Sequence, residues 1–127
     1  MFKVNDDMSI YVTRGDIVAF KLTAENSAGS DYTFQYGDTV RFKVFEKKGC
    51  DCVMLQKDFI VESQAHSVDI LLTGNDTKIG ELIHKPKDYW YEVELNPMTN
   101  PQTLIGYDED GAKVFRLFPE GADMQGG

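Results

Sequence analysis

A chain of 127 residues, 42% hydrophobic and 27% charged, has the length and composition of one globular domain and can bury a core without staples. Its 21 acids against 13 bases leave a formal charge of −8, a sign that repels phosphate backbones and argues against nucleic-acid binding, while a basic protein partner stays open. No apolar run is long enough to cross a membrane, so no membrane partner is expected, and Met1-Phe2-Lys3-Val4-Asn5-Asp6-Asp7 turns acidic before any signal-length apolar stretch, so folding in the cytoplasm is the expectation.

Period-two alternation dominates from the N-terminus onward. Ser9 to Thr13 reads as a strand and ends at the turn Arg14-Gly15-Asp16. In Val18-Ala19-Phe20-Lys21-Leu22 one face collects Val18, Phe20 and Leu22. After the turn Ala28-Gly29-Ser30-Asp31, the stretch Val40-Arg41-Phe42-Lys43-Val44 puts apolar residues on one face and bases on the other. Lys48-Gly49 precedes a strand from Cys52 to Glu62, and Val68 to Leu72 follows, with Val68, Ile70 and Leu72 on one side. Beyond Gly74, Asp76 to Leu82 is the one short helical candidate, with Asn75 or Asp76 as its cap. Tyr89 to Leu95 alternates most cleanly: Tyr89, Tyr91, Val93 and Leu95 inward, Trp90, Glu92 and Glu94 outward. Asn96-Pro97 and Asn100-Pro101 punctuate the chain before Thr103 to Tyr107, Asp110-Gly111 marks a tight hairpin, and Ala112 to Phe118 is the last strand. Residues 122–127 read as a flexible tail. The sum is a single domain, all-β, an antiparallel sandwich of seven or eight short strands whose faces alternate between core and solvent.

Chemistry-bearing constellations are scarce. Cys50 and Cys52 are one residue apart, a poor spacing for a mutual disulfide and half of a metal site at best, so they read as incidental thiols. His66 and His84 lie apart, with no partner pattern. Neither a Gly-x-Ser-x-Gly elbow nor a phosphate-cradling glycine loop is present. Asp108-Glu109-Asp110 could ligate a hard cation, but acidic hairpin tips also arise from turn geometry alone. Arg14-Gly15-Asp16 spells an adhesion tripeptide, and its position between two strands makes it a plain turn. No catalytic residue, cofactor or metal is therefore expected.

The aromatics are more informative. Trp90 falls on the polar face of its strand beside Glu92 and Glu94, and Tyr32, Phe34 and Tyr36 alternate after a Gly-Ser turn. These six are the candidate contact residues, an aromatic anchor rimmed by charge. Tyr89 and Tyr91 read as core, with one hydroxyl tied to neighbouring backbone.

The order of motifs carries a resemblance. Tyr11-Val12-Thr13-Arg14-Gly15-Asp16-Ile17-Val18-Ala19-Phe20-Lys21-Leu22 is followed by Gly37-Asp38-Thr39-Val40-Arg41-Phe42-Lys43-Val44, then Leu72-Thr73-Gly74-Asn75-Asp76-Thr77, Asp88-Tyr89-Trp90-Tyr91-Glu92-Val93-Glu94-Leu95 and Thr103-Leu104-Ile105-Gly106. From about Ser9 to Gly121 the chain resembles the small immunoglobulin-like domain of bacteriophage tail and baseplate proteins, similar to the N-terminal domain of the baseplate upper protein of phages of Gram-positive bacteria. The resemblance implies an immunoglobulin-like sandwich without catalysis, assembled into a virion with other phage proteins and as a homo-oligomer. Those baseplate proteins continue into a longer C-terminal part, so a chain stopping near Gly127 is expected to be a stand-alone subunit or a free protein that borrowed the fold. Two rival readings stand beside it. A small acidic inhibitor of a host defence nuclease would concentrate carboxylates on one face to mimic nucleic acid. A sugar-binding sandwich would need more exposed aromatics than the single tryptophan offers.

Overall fold

Alternating apolar residues need a second layer to bury against, and the chain supplies it with two β-sheets. The computed structural model describes residues 1–25, 29–47, 52–106 and 111–120. Among them are nine strands and no helix: β1 Phe2–Val4, β2 Ile10–Thr13, β3 Val18–Leu22, β4 Thr39–Phe45, β5 Val53–Ile60, β6 Val68–Leu72, β7 Lys87–Leu95, β8 Gln102–Ile105 and β9 Lys113–Phe118. The large sheet runs β1-β2-β9-β7-β4-β5, and β8 also pairs with β7. The small sheet is the antiparallel pair β3-β6. The protein is an all-β sandwich.

The inner faces form the core. From the large sheet come Ile10, Val12, Val40, Phe42, Val44, Tyr89, Tyr91, Val93, Phe115 and Leu117, and from the small sheet Val18, Leu22, Ile70 and Leu72. Phe42 stacks on Tyr91 at 5.4 Å and meets Phe115 edge-on at 6.3 Å. Each fully buried side chain of this size contributes about 1.5–3 kcal/mol of transfer free energy, so the inner stripe, rather than any single contact, holds the two sheets together.

Several expectations change. The sheet is not wholly antiparallel: β2 and β9 pair in parallel, Ile10 opposite Phe115 and Thr13 opposite Phe118. Parallel pairing needs a long connection, and here nearly the whole chain is that connection, which periodicity cannot reveal. β1 was not expected; its three residues pair with β2, Phe2 opposite Val12. The helical candidate at Asp76 is a turn, in which the Asp76 carboxylate accepts the Thr73 N–H at 2.8 Å and the Lys57 ammonium at 2.5 Å. Three residues of cap geometry without an apolar stripe behind them do not propagate a helix. Cys52 is disulfide-bonded rather than a free thiol; the chain's other cysteine, Cys50, lies outside the described residues, as do Asp108-Glu109-Asp110 and the tail 122–127.

Arg14-Gly15-Asp16 is a turn locked against the segment after β6. The Gly15 N–H donates to Thr77 Oγ1 at 3.0 Å, and the Thr77 hydroxyl donates to the Asp16 carbonyl at 2.8 Å. Arg14 is buried, with Glu120 3.8 Å away. The approach is close enough that a side chain at Gly74 would strike the Gly15 carbonyl at 2.5 Å.

Candidate protein-contact surface

A strand with one buried face must show the other, and the outward faces of β4, β5 and β7 make one surface. Along β4 it carries Thr39, Arg41, Lys43 and Phe45; along β7, Trp90, Glu92 and Glu94; along β5, Gln56, Asp58 and Ile60. Register places Phe45 opposite Trp90, Lys43 opposite Glu92 and Arg41 opposite Glu94.

The middle of this surface is charged and internally paired. Lys43 Nζ lies 2.7 Å from Glu94 and 3.4 Å from Glu92. Burial would depress the Lys43 ammonium, but the two carboxylates outweigh it and hold its pKa above the ordinary lysine value. Arg41 grips Asp58 with two hydrogen bonds of 2.8 and 3.1 Å, which lower the Asp58 carboxyl below the usual carboxylate range. At one end of the stripe stands the half-buried pair Phe45 and Trp90, with Lys43 Nζ 5.6 Å from the Phe45 ring centre and the indole Nε1 sealed from solvent.

At the other end three segments bring apolar side chains into water. Tyr36 is 81% exposed, Ile60 67% and Met98 80%. Their backbones are tied together: Thr39 is the register partner of Ile60, the Gly37 N–H donates to the Val61 carbonyl at 2.8 Å, and the Asn96 N–H donates to the Thr39 carbonyl at 2.7 Å. Asp38 fixes the corner by accepting the Tyr32 hydroxyl at 2.6 Å, the Gln35 N–H at 2.9 Å and the Asn96 side-chain amide at 3.1 Å. Burial alone would raise the Asp38 carboxyl; these three donors together lower it. In return the Tyr32 phenol is pushed up to about 12, first by its bond to Asp38.

Of the six sequence candidates, Trp90, Glu92 and Glu94 share this outward surface. Tyr36 lies at its far end, beyond Leu95, about 17 Å along β7 from Trp90. Tyr32 is half-buried and holds Asp38. Phe34 is completely buried, its ring 5.1 Å from Tyr32 in an edge-on contact, so it is a core residue and presents nothing to a partner. The alternation of Tyr32, Phe34 and Tyr36 is real, but a two-residue isolated bridge, Phe34 to Ala65, turns the middle ring inward. Sequence reasoning missed Ile60 and Met98. Both had a signal: Phe59-Ile60-Val61 is an apolar run that breaks alternation, and Met98 is apolar inside the polar turn Asn96 to Pro101.

No family model matches the chain, and no curated protein or solved structure does either.

Proposed function

We propose that this protein is a non-enzymatic binding module that joins protein chains through the outward surface of β4, β5 and β7. The observation that carries this reading is the exposed apolar corner of Tyr36, Ile60 and Met98, continuous with a paired charged stripe and closed at the other end by Phe45 and Trp90. Apolar anchors bordered by satisfied charge are the chemistry of a protein interface. Large exposed apolar side chains clustered at one place mark such sites, whereas scattered ones need no explanation.

Two finer statements belong to the same proposal. Variable-type immunoglobulin sandwiches place strands G, F, C and C′ side by side and B with E on the opposite sheet. The order β9-β7-β4-β5 across from β3-β6 supports that reading of the topology. The ordered motifs from Tyr11 to Gly106 support a structural role in a phage tail or baseplate, as a homo-oligomer within a virion. The rival, a nucleic-acid mimic, is less well supported, because Asp58, Asp69, Asp76, Asp88, Glu92 and Glu94 each sit beside a Lys or Arg instead of forming one bare acidic face.

The test is solution mass by light scattering across protein and salt concentration. The expected result is a defined multiple of 14.4 kDa that survives high salt. The triple variant Tyr36→Ser, Ile60→Thr, Met98→Ser should return the mass to one chain with little change in melting, because exposed positions cost at most about 0.5 kcal/mol each. A wild-type chain that is monomeric at every concentration overturns self-assembly.

A further inference from the structure

On the opposite side of the molecule, between β3 and β8, the sandwich is open. A cavity of about 690 Å³ lies there, with Phe20 to Thr23 as one wall and Thr103 to Gly106 as the other. Tyr91 and Lys113 form its floor, and Val4 and Met8 stand at its mouth. Four consecutive residues on each wall mean that the groove is bordered by backbone as well as by side chains. Among the described residues β3 pairs only with β6 and β8 only with β7, so each strand turns an unpaired edge toward this groove. A second cavity of about 410 Å³ shares Thr23, Thr103 and Leu104 and continues the groove to Glu25 and Asp31. These two acids face each other across an isolated bridge, are both exposed and make no ion pair among the described residues.

We infer that this groove receives an extended segment of another protein, added as a strand along the free edge of β3, with apolar side chains at alternate positions and a basic residue at the Glu25–Asp31 end. Three observations fit that occupant and no rounder one. An open edge offers main-chain hydrogen bonds that only another backbone satisfies in series. The walls place Phe20, Leu22 and Leu104 along the slot, and a strand offers every second side chain to one side. The acids at one end call for a cation there. From Phe20 to Glu25 the slot spans about 17 Å, the length of six strand residues from first Cα to last. Antiparallel pairing with β3 is the more stable choice and puts the segment's N-terminal end beside Glu25 and Asp31. The proposal uses none of the residues of the outward surface and does not rest on its reading.

The probe is a pool of end-blocked, fluorescein-labelled peptides, Arg-X-Thr-X-Thr-X-Thr, with Val, Ile, Leu or Phe at X, against the reversed pool with Arg last and a pool with Pro at every X. Saturable binding of the forward pool by anisotropy, at least tenfold tighter than the reversed pool and absent for the Pro pool, is the expected result. Amide exchange should slow at the β3 amides that do not pair with β6. Glu25→Gln with Asp31→Asn should erase the direction preference while retaining binding, and Leu104→Arg should abolish binding with the melting curve preserved. Equal binding of the Pro pool overturns strand addition, as does competition by octanoate, which would assign the cavity to a small amphiphile. Absence of saturable binding by the forward pool overturns the proposal outright.

Discussion

The hydroxyl of Tyr91, in the middle of β7, donates to the main-chain carbonyl of Met8, eighty-three positions earlier. Met8 sits at φ 71, a left-handed conformation that a long unbranched side chain adopts only when something holds it. Burial, with Asp7 adding to it, pushes the Tyr91 phenol well above its ordinary value, which favours the protonated, donating form. Tyr91→Phe should therefore cost about 1 kcal/mol by urea unfolding, the worth of a hydrogen bond whose acceptor is left behind. Two residues earlier, Tyr89 is fully buried and its hydroxyl has no partner among the described residues. Tyr89→Phe removes a polar group that gains nothing and should be neutral or stabilising. A larger loss at Tyr89 than at Tyr91 would sink this account.

Gly80 presses on that same hydroxyl. A Cβ there would lie 2.7 Å from Tyr89 Oη, and the residue is at φ +67. Gly80→Ala should cost about 1–2 kcal/mol from the left-handed backbone alone, plus the clash. Combining it with Tyr89→Phe should recover the clash and leave the backbone cost, a non-additivity that a double-mutant cycle measures. Strict additivity would mean the ring moves aside at no expense.

Thr77 is wholly buried and serves as acceptor for Gly15 and donor to Asp16. Thr77→Val keeps the shape and removes the hydroxyl's bonds to the Gly15 N–H and to the Asp16 and Gly74 carbonyls, stranding a backbone N–H and the carbonyls that shared the donor. A loss of about 1–3 kcal/mol is expected, with faster amide exchange confined to the Gly15 turn. Thr77→Ser, which retains the hydroxyl, should lose far less.

Much of this was legible beforehand, and the failures have physical causes. Strands β3 and β6 fall on the expected residues, because alternation bounded by turn residues is a strong signal. The register that aims Trp90, Glu92 and Glu94 outward also follows from alternation alone. Strand direction does not, since period two is the same both ways, and so the parallel β2-β9 pair was invisible. β1 is three residues long, too short for any period to show. Phe34 could be assigned to core or contact only by knowing that Ala65 pairs with it, a tertiary fact. The Tyr36–Ile60–Met98 corner joins three segments far apart in sequence, and nothing local announces that they meet.

Asp38 gives the corner its pH behaviour. Its folded pKa is lowered, so its contribution is complete above the ordinary carboxylate value of about 3.9 and is lost as pH falls through the folded value. Tyr32 acts at the other extreme: its neutral phenol is favoured, so stability is intact below about pH 10 and declines as pH rises through about 12. Asp38→Asn should flatten the acid limb of a melting-temperature profile and bring the Tyr32 phenol down toward its ordinary value, read by ultraviolet titration. A phenol that titrates unchanged in the variant would show that Asp38 is not what holds it.

Lys43 decides whether the outward stripe is attractive or repulsive. It is only 20% exposed and stands between Glu92 and Glu94, which share one face of β7. Without it the two carboxylates sit side by side, with Arg41 opposite Glu94 across the strand pair. Lys43→Met keeps an apolar chain of similar length and deletes the charge, including the ammonium 5.6 Å from the Phe45 ring centre. We expect a loss of about 1 kcal/mol, above the usual worth of an exposed pair because two carboxylates lose one shared counter-ion. The loss should shrink as salt rises, since screening relieves the repulsion that remains. Glu92→Gln in the Lys43→Met background should restore part of it, while Glu92→Gln alone should change little because Glu94 keeps the closer contact. Trp90, the chain's single tryptophan, reports the outcome. If its emission and the melting temperature are the same in Lys43→Met as in the parent at low salt, the stripe is not electrostatically organised and a partner needs only the apolar ends.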